Sequence, residues 1–61
     1  MNLIDAWVTK ILAEPEQIKY GNLWVVLVEY DNDAGVTGQT ILYFYTKEEA
    51  LNLKIGYEFL H

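Results

Sequence analysis

Few side chains in this chain could do chemistry. The stretch Asp31-Asn32-Asp33-Ala34-Gly35-Val36 sets two carboxylates at the first and third positions of a calcium-type loop. Such a loop needs an oxygen ligand at its fifth position and a glycine at its sixth, where the backbone turns sharply. Here those positions hold Gly35 and Val36. The pattern fails at both, and the segment reads as a hairpin loop in which Asn, Asp and Gly supply turn geometry. Glu14 with Glu16 and Glu48 with Glu49 are two further carboxylate pairs. Acid–base work needs such a pair in surroundings that tune the two groups to the reaction. Glu14 and Glu16 flank Pro15, Glu48 and Glu49 sit where a helix begins, and neither pair stands in an apolar setting, so both read as solvated surface. Nucleophiles are scarcer still. There is no Ser and no Cys, and Thr9, Thr37, Thr40 and Thr46 have no neighbouring base in sequence. The only histidine, His61, is the last residue and reads as an exposed, mobile end. A hydroxyl without a positioned base is not an activated nucleophile. The chain reads as a non-enzyme, with no metal site and no cofactor.

Composition narrows the partners. The 61 residues make one small α+β domain at most, and a domain of this size buries only about 60 % of the surface its unfolded chain exposes. Small domains commonly add disulfides, a structural metal or a partner subunit. The first is excluded without Cys, and one terminal His leaves no zinc set; a partner subunit remains. The formal charge is −5, from nine acids against four lysines, with no arginine. Lys10, Lys19, Lys47 and Lys54 are scattered, which is not the clustered positive footprint that phosphate backbones require. The opening residues from Met1 to Ile11 have no basic segment followed by an apolar run, so no signal peptide is read, and no stretch is long and apolar enough to span a membrane. Together with the absence of Cys this gives a cytoplasmic expectation.

The elements follow from periodicity. Ala6 to Glu14 reads as a strand, with Trp7, Thr9 and Ile11 on one side and Val8, Lys10 and Leu12 on the other. Spacing alone also allows an amphipathic helix from Leu3 to Ala13, but the β-branched residues and Pro15 favour the strand. Gly21-Asn22 marks the first turn. Leu23 to Asp31 is the clearest strand: Trp24, Val26, Val28 and Tyr30 share one face, Val25, Leu27 and Glu29 the other. Gln39 to Thr46 is the third. The expected architecture is a three-stranded antiparallel meander followed by one helix and a short extended tail. Thr46-Lys47-Glu48-Glu49 is a capping box, in which the Thr46 oxygen takes the Glu49 N–H and the Glu49 side chain returns to the Thr46 N–H. Glu48 and Glu49 also suit the positive end of the helix dipole. Gly56 fits a left-handed position just past a helix ending near Ile55, with 57–60 extended. The rival is a helix continuing through Gly56 to Leu60, which would align Ala50, Leu53, Tyr57 and Leu60.

One helix covers one face of a sheet, and here both faces are apolar. Antiparallel sheets that meet water on one side alternate apolar with polar residues; the second and third strands do not. Exposed apolar patches of that size mark interaction surfaces, and Tyr and Trp are enriched there. The expectation is a homodimer in which a second subunit covers the sheet face, with Trp24, Val26, Val28, Tyr43 and Tyr45 at the interface. The acid-bearing loops, Asp31 and Asp33 above all, are left to bind another partner. The alternative is a small nucleic-acid or ligand-binding module whose aromatics, Trp7, Tyr20, Trp24, Tyr30, Tyr43, Phe44, Tyr45, Tyr57 and Phe59, stack bases on the sheet. The missing basic groove counts against it.

The segments WVTKIL, WVVLVEY and LYFYTKEEALNLKIGYEFL together resemble a group of short proteins of unassigned role carried by phages and prophages of Gram-positive bacteria. The shared features are a Trp-Val-x-x-Ile-Leu start and a Thr-Lys-Glu-Glu-Ala helix followed by Gly-Tyr-x-Phe. The resemblance spans nearly the whole chain and brings no catalytic residues with it. It implies a small acidic phage accessory protein, in the cytoplasm of the bacterial host, that binds and inhibits a host protein such as a defence enzyme.

Overall fold

A computed structural model describes residues 3–19 and 21–61. The first two residues of the opening segment and the aromatic Tyr20 fall outside it. The fold is mostly β: five antiparallel strands in one curled sheet, with one short helix. The strands are β1 (Asp5–Ile11), β2 (Glu16–Gln17), β3 (Trp24–Asn32), β4 (Thr37–Phe44) and β5 (Glu58–Leu60), and α1 (Lys47–Leu51) joins the last two. The expected three-stranded meander is therefore corrected in both strand number and order. β3 is central. β4 lies along one side of it, from Trp24 opposite Phe44 to Asp31 opposite Thr37. β1 and β2 share its other side, β1 against Val28 to Asn32 and β2 against Trp24 and Val25. The tail does not end free: as β5 it pairs with the outer side of β1, with Ala6 opposite Phe59.

Two backbone devices produce this order. The first is a β-bulge in β1. Val8 stands opposite Tyr30 but Lys10 stands opposite Glu29, so Thr9 is the extra residue. Its hydroxyl donates to the Glu29 carbonyl, 3.3 Å away. The bulge corrects the simple alternation expected of this strand: Val8 and Ile11 come to one face, opposite Tyr30 and Val28, and Lys10 is turned to the other. The second device is Gly56, whose φ is +93°, a backbone state that glycine enters without a side-chain penalty. Gly56 sits in a tight turn closed by the Tyr57 N–H to the Lys54 carbonyl (3.0 Å), and its own N–H donates to the Val8 carbonyl (2.7 Å). The left-handed glycine is as expected, but it turns the chain back onto β1 and does not cap the helix.

Helix α1 is shorter than the sequence suggests. It stops at Leu51 with Asn52 as its C-cap, not near Ile55. Its start follows the Thr46 signal: the Glu49 N–H donates to the Thr46 hydroxyl (3.1 Å). The return arm differs from the expected capping box, since the Thr46 hydroxyl donates to the Glu49 carboxylate (3.3 Å).

The core lies between α1 and one face of the sheet. Val8, Val26, Val28, Phe44, Ala50 and Leu53 form it, with Trp24, Leu42 and Phe59 packed against it. Away from α1 the same face is covered by aromatics. The Tyr30 ring stands edge-on to Phe59 (centroids 5.7 Å) and to His61 (4.7 Å). His61 is thus an exposed end residue but not a free one, because it also exchanges two backbone bonds with Ile4 (3.2 and 3.1 Å). Tyr30 lies over Gly38; a methyl group there would come within 2.8 Å of its hydroxyl.

Candidate functional site

The inner face carries the helix and the core. Among the described residues no element lies over the outer face, and cross-strand pairing orders its side chains into rows. Near the β3–β4 loop, Thr37, Asp31, Trp7 and Glu58 make one row across β4, β3, β1 and β5. Gln39, Glu29 and Lys10 make the next. Ile41 and Leu27 follow, joined by Leu12, whose N–H donates to the Leu27 carbonyl (2.9 Å). Tyr43, Val25 and Glu16 end the face. The outer face thus has an acidic end, around Trp7, and an apolar end. Five of the nine acids, Asp5, Glu29, Asp31, Asp33 and Glu58, belong to the strands and loop of the acidic end. At the apolar end Leu27 is 37 % exposed, Ile41 45 % and Tyr43 60 %. A shallow hollow there is lined by Ala13, Val25, Leu27 and Ile41, with Glu14 and Glu16 on its rim.

This arrangement divides the residues expected at a self-association interface. Val26 and Val28 are buried beneath α1, and Trp24 packs against the same core. They share a face with each other, as the alternation requires, but it is the face the chain covers for itself. Tyr43 pairs with Val25 and so lies on the outer face. Tyr45, just beyond β4, is 82 % exposed. The correction is physical: the inner residues of β3 cannot reach another molecule while the helix is in place. The outer-face residues that replace them are Leu12, Val25, Leu27 and Ile41. A signal for them was present in the sequence, since the helix stripe must choose one face, but nothing local says which.

Asp31 and Asp33 take separate roles. The Thr37 hydroxyl donates to the Asp31 carboxylate across the hairpin. Asp33 is exposed, and its N–H donates to the Asp5 carbonyl (3.1 Å). The loop itself is organised by Asn32, whose side-chain oxygen accepts from the N–H groups of Ala34 and Val36 (3.0 Å each), with Gly35 in the left-handed region (φ +77°). This is the side-chain-mimics-backbone turn that Asn favours. Glu14 and Glu16 border the hollow, whereas Glu49 is engaged at the helix start. Among the described residues no group of three or more His, Asp or Glu side chains is placed to hold a metal ion.

Lys47 stands 5.6 Å from the centroid of the Trp24 ring, a cation–π distance, and so is partly occupied at the helix start. No helix among the described residues is long and apolar enough to cross a membrane.

Fold and surface define a small β-rich domain, with a helix over one face of its sheet and the other face open, five acids gathered at one end of the open face and apolar residues bordered by Glu14 and Glu16 at the other. No family model matches the chain, and no curated protein or solved structure matches it at a significant level.

Proposed function

We propose that this chain is a non-enzymatic, phage-type interaction protein: a second copy covers the outer sheet face, and the acidic end binds and inhibits a host protein in the bacterial cytoplasm. The observation that carries this reading is the open face itself, with Leu12, Val25, Leu27, Ile41 and Tyr43 side by side and no element of the described residues over them. The molecule has more surface than its mass requires. Its accessible area is 4630 Å², against about 4,100 Å² for a folded monomer of this size. It is also thin, 33 × 24 × 14 Å. A broad side of 33 × 24 Å is of the size that a standard interface buries per partner, about 800 Å². Charge sets how two copies would meet. Stacked with their strands running oppositely, the apolar rows overlap and the five-acid ends lie at the two far poles, leaving Glu14 and Glu16 as the acids that border the contact. Those poles are then free for a basic surface on the target, with association steered by charge.

The test uses the wild type and the double variant Asp31→Lys with Asp33→Lys on nuclease-treated lysate of a Gram-positive bacterium. The expected result is a protein retained by the wild type, released by added salt, and not retained by the variant, while both run at the same mass by light scattering. Loss of the Thr37 bond lowers the variant's stability by about 1 kcal/mol, that of one hydrogen bond, and its melting point slightly. Equal retention by both proteins removes the acidic end as the contact. Retention abolished by nuclease alone replaces the protein target with nucleic acid.

A further inference from the structure

β3 has strands on both sides; β4 does not. The Asn32 N–H donates to the Val36 carbonyl (3.1 Å), and this bond sets the direction of the backbone groups that follow. In an antiparallel pair, hydrogen-bonded and non-bonded positions alternate. Continuing the register from Val36, the polar backbone groups of Gly38, Thr40, Leu42 and Phe44 point to β3. Those of Thr37, Gln39, Ile41 and Tyr43 point away. The other side of β3 agrees: its odd-numbered carbonyls Leu23, Leu27 and Glu29 accept from Ile18, Leu12 and the Thr9 hydroxyl. β4 pairs with β3 alone, and among the described residues none of its four outward N–H groups has a backbone partner.

Such an edge is normally blunted by lysine, proline, a bulge or extreme shortness. The two remaining strands that end the sheet follow that rule: β5 has three residues including Glu58, and β2 has two including Glu16. β4 has eight residues, none charged and none proline, in unbroken register with β3. Ala34 to Thr46, which contains β4, is the longest run of the chain without a charge.

We propose that the free edge of β4 is a strand-addition site whose occupant is β4 of another copy, antiparallel about a two-fold axis perpendicular to the sheet. Centred on Thr40, this pairing sets Gln39 opposite Ile41 and Thr37 opposite Tyr43, each residue offering the groups that its counterpart lacks. Outward side chains of both copies then stand on the same face, and each apolar row of one copy meets a polar row of the other, Ile41 beside Gln39 and Tyr43 beside Thr37. A chain of net charge −5 meets its own copy with least repulsion where no acid stands, and β4 is that place. The contact is small. It is about 27 Å long and 14 Å thick, less than half of the about 800 Å² per partner of a standard interface. It is therefore the weaker contact and acts above the concentration at which the faces meet. It does not depend on the face contact, since one rests on backbone direction and the other on side chains.

Sedimentation equilibrium from micromolar to millimolar chain tests it. Gln39→Pro removes an outward N–H and leaves the ladder to β3 intact, the one setting in which a strand tolerates proline. The expected wild-type mass rises past two chains toward four, Gln39→Pro stops at two, and Leu27→Asp, which spoils only the face, rises from one to two. A Leu27→Asp mass that stays at one chain up to millimolar concentration, or a Gln39→Pro mass that rises as the wild type does, overturns the edge contact. An unchanged mass for Leu27→Asp at micromolar concentration overturns the face contact alone. If Gln39→Pro does not fold, hydrogen exchange on the wild type decides. The Gln39, Ile41 and Tyr43 amides should slow by about tenfold or more at millimolar concentration, while Thr40 and Leu42 stay protected throughout. Concentration-independent exchange at the three odd-numbered amides overturns the proposal.

Discussion

Leu27 and Val28 are neighbours on one strand, similar in size and chemistry, yet Val28 is fully buried and Leu27 is 37 % exposed. The same contrast runs the length of β3 and β4. Val26, Val28, Tyr30, Leu42 and Phe44 meet α1 or the aromatics of the tail; Val25, Leu27, Ile41 and Tyr43 have no helix or tail of the described residues over them. What separates the two sets is not composition but cover. A sheet residue is a core residue only if something lies over it, and this chain has one short helix and one tail to spend. Both go to the inner face, because the bulge at Thr9 and the turn at Gly56 bring the tail back along β1 with Phe59 turned inward.

That comparison is broken most severely by a charge. Val28→Asp puts a carboxylate among the core aliphatics without a partner, a cost on the order of 5 kcal/mol and comparable to the stability of a small domain. Circular dichroism should show an unfolded chain. Leu27→Asp, one residue along, should keep the native spectrum. A folded Val28→Asp protein would mean that the two faces are assigned the wrong way round. Next in size is Gly38→Ala. The added methyl meets the Tyr30 ring, and overpacking of this kind costs about 1–3 kcal/mol. The companion change Tyr30→Phe removes the hydroxyl and should recover part of the loss, which a pair of melts will show.

Smaller effects sharpen the account of the cover. Gly56→Ala forces a side chain into a positive φ and should cost about 1 kcal/mol, loosening β5 more than α1. Thr46→Ala removes the N-cap and should also cost about 1 kcal/mol, loosening α1 more than β5. Exchange rates at Phe59 and at Ala50 separate the two. If both variants loosen the same element, the helix and the tail are one unit and not two independent covers.

The three main strands, the turn at Gly21-Asn22 with both residues at positive φ (75° and 53°), the Thr46 start and the left-handed Gly56 were all legible, because each is a local preference. So was the shared face of Trp24, Val26, Val28 and Tyr30. The rest was set by distant partners. Thr9 is a β-branched residue in a strand-like run, and no local rule marks it as a bulge; its place depends on Glu29, twenty residues away. Glu58-Phe59-Leu60 is too short to announce a strand and becomes one by pairing with β1. Helix α1 stops early because Leu53 must reach the core and the chain must turn at Ile55-Gly56 to meet Val8. The candidate surface was legible as a surplus of apolar side chains but not as an address. Its expected residues fell on both faces, Trp24, Val26 and Val28 inside and Tyr43 outside, because a two-sided pattern has no sign until the helix lands.

The central claim is that the outer face is a contact surface and not merely an uncovered one. Light scattering at micromolar chain, on the wild type and Leu27→Asp side by side, tests it most directly. The account predicts a wild-type particle of twice the 7.1 kDa of one chain and a Leu27→Asp particle of a single chain, both with the native spectrum. A wild type that remains a single chain, or a Leu27→Asp protein of the same mass as the wild type, contradicts it.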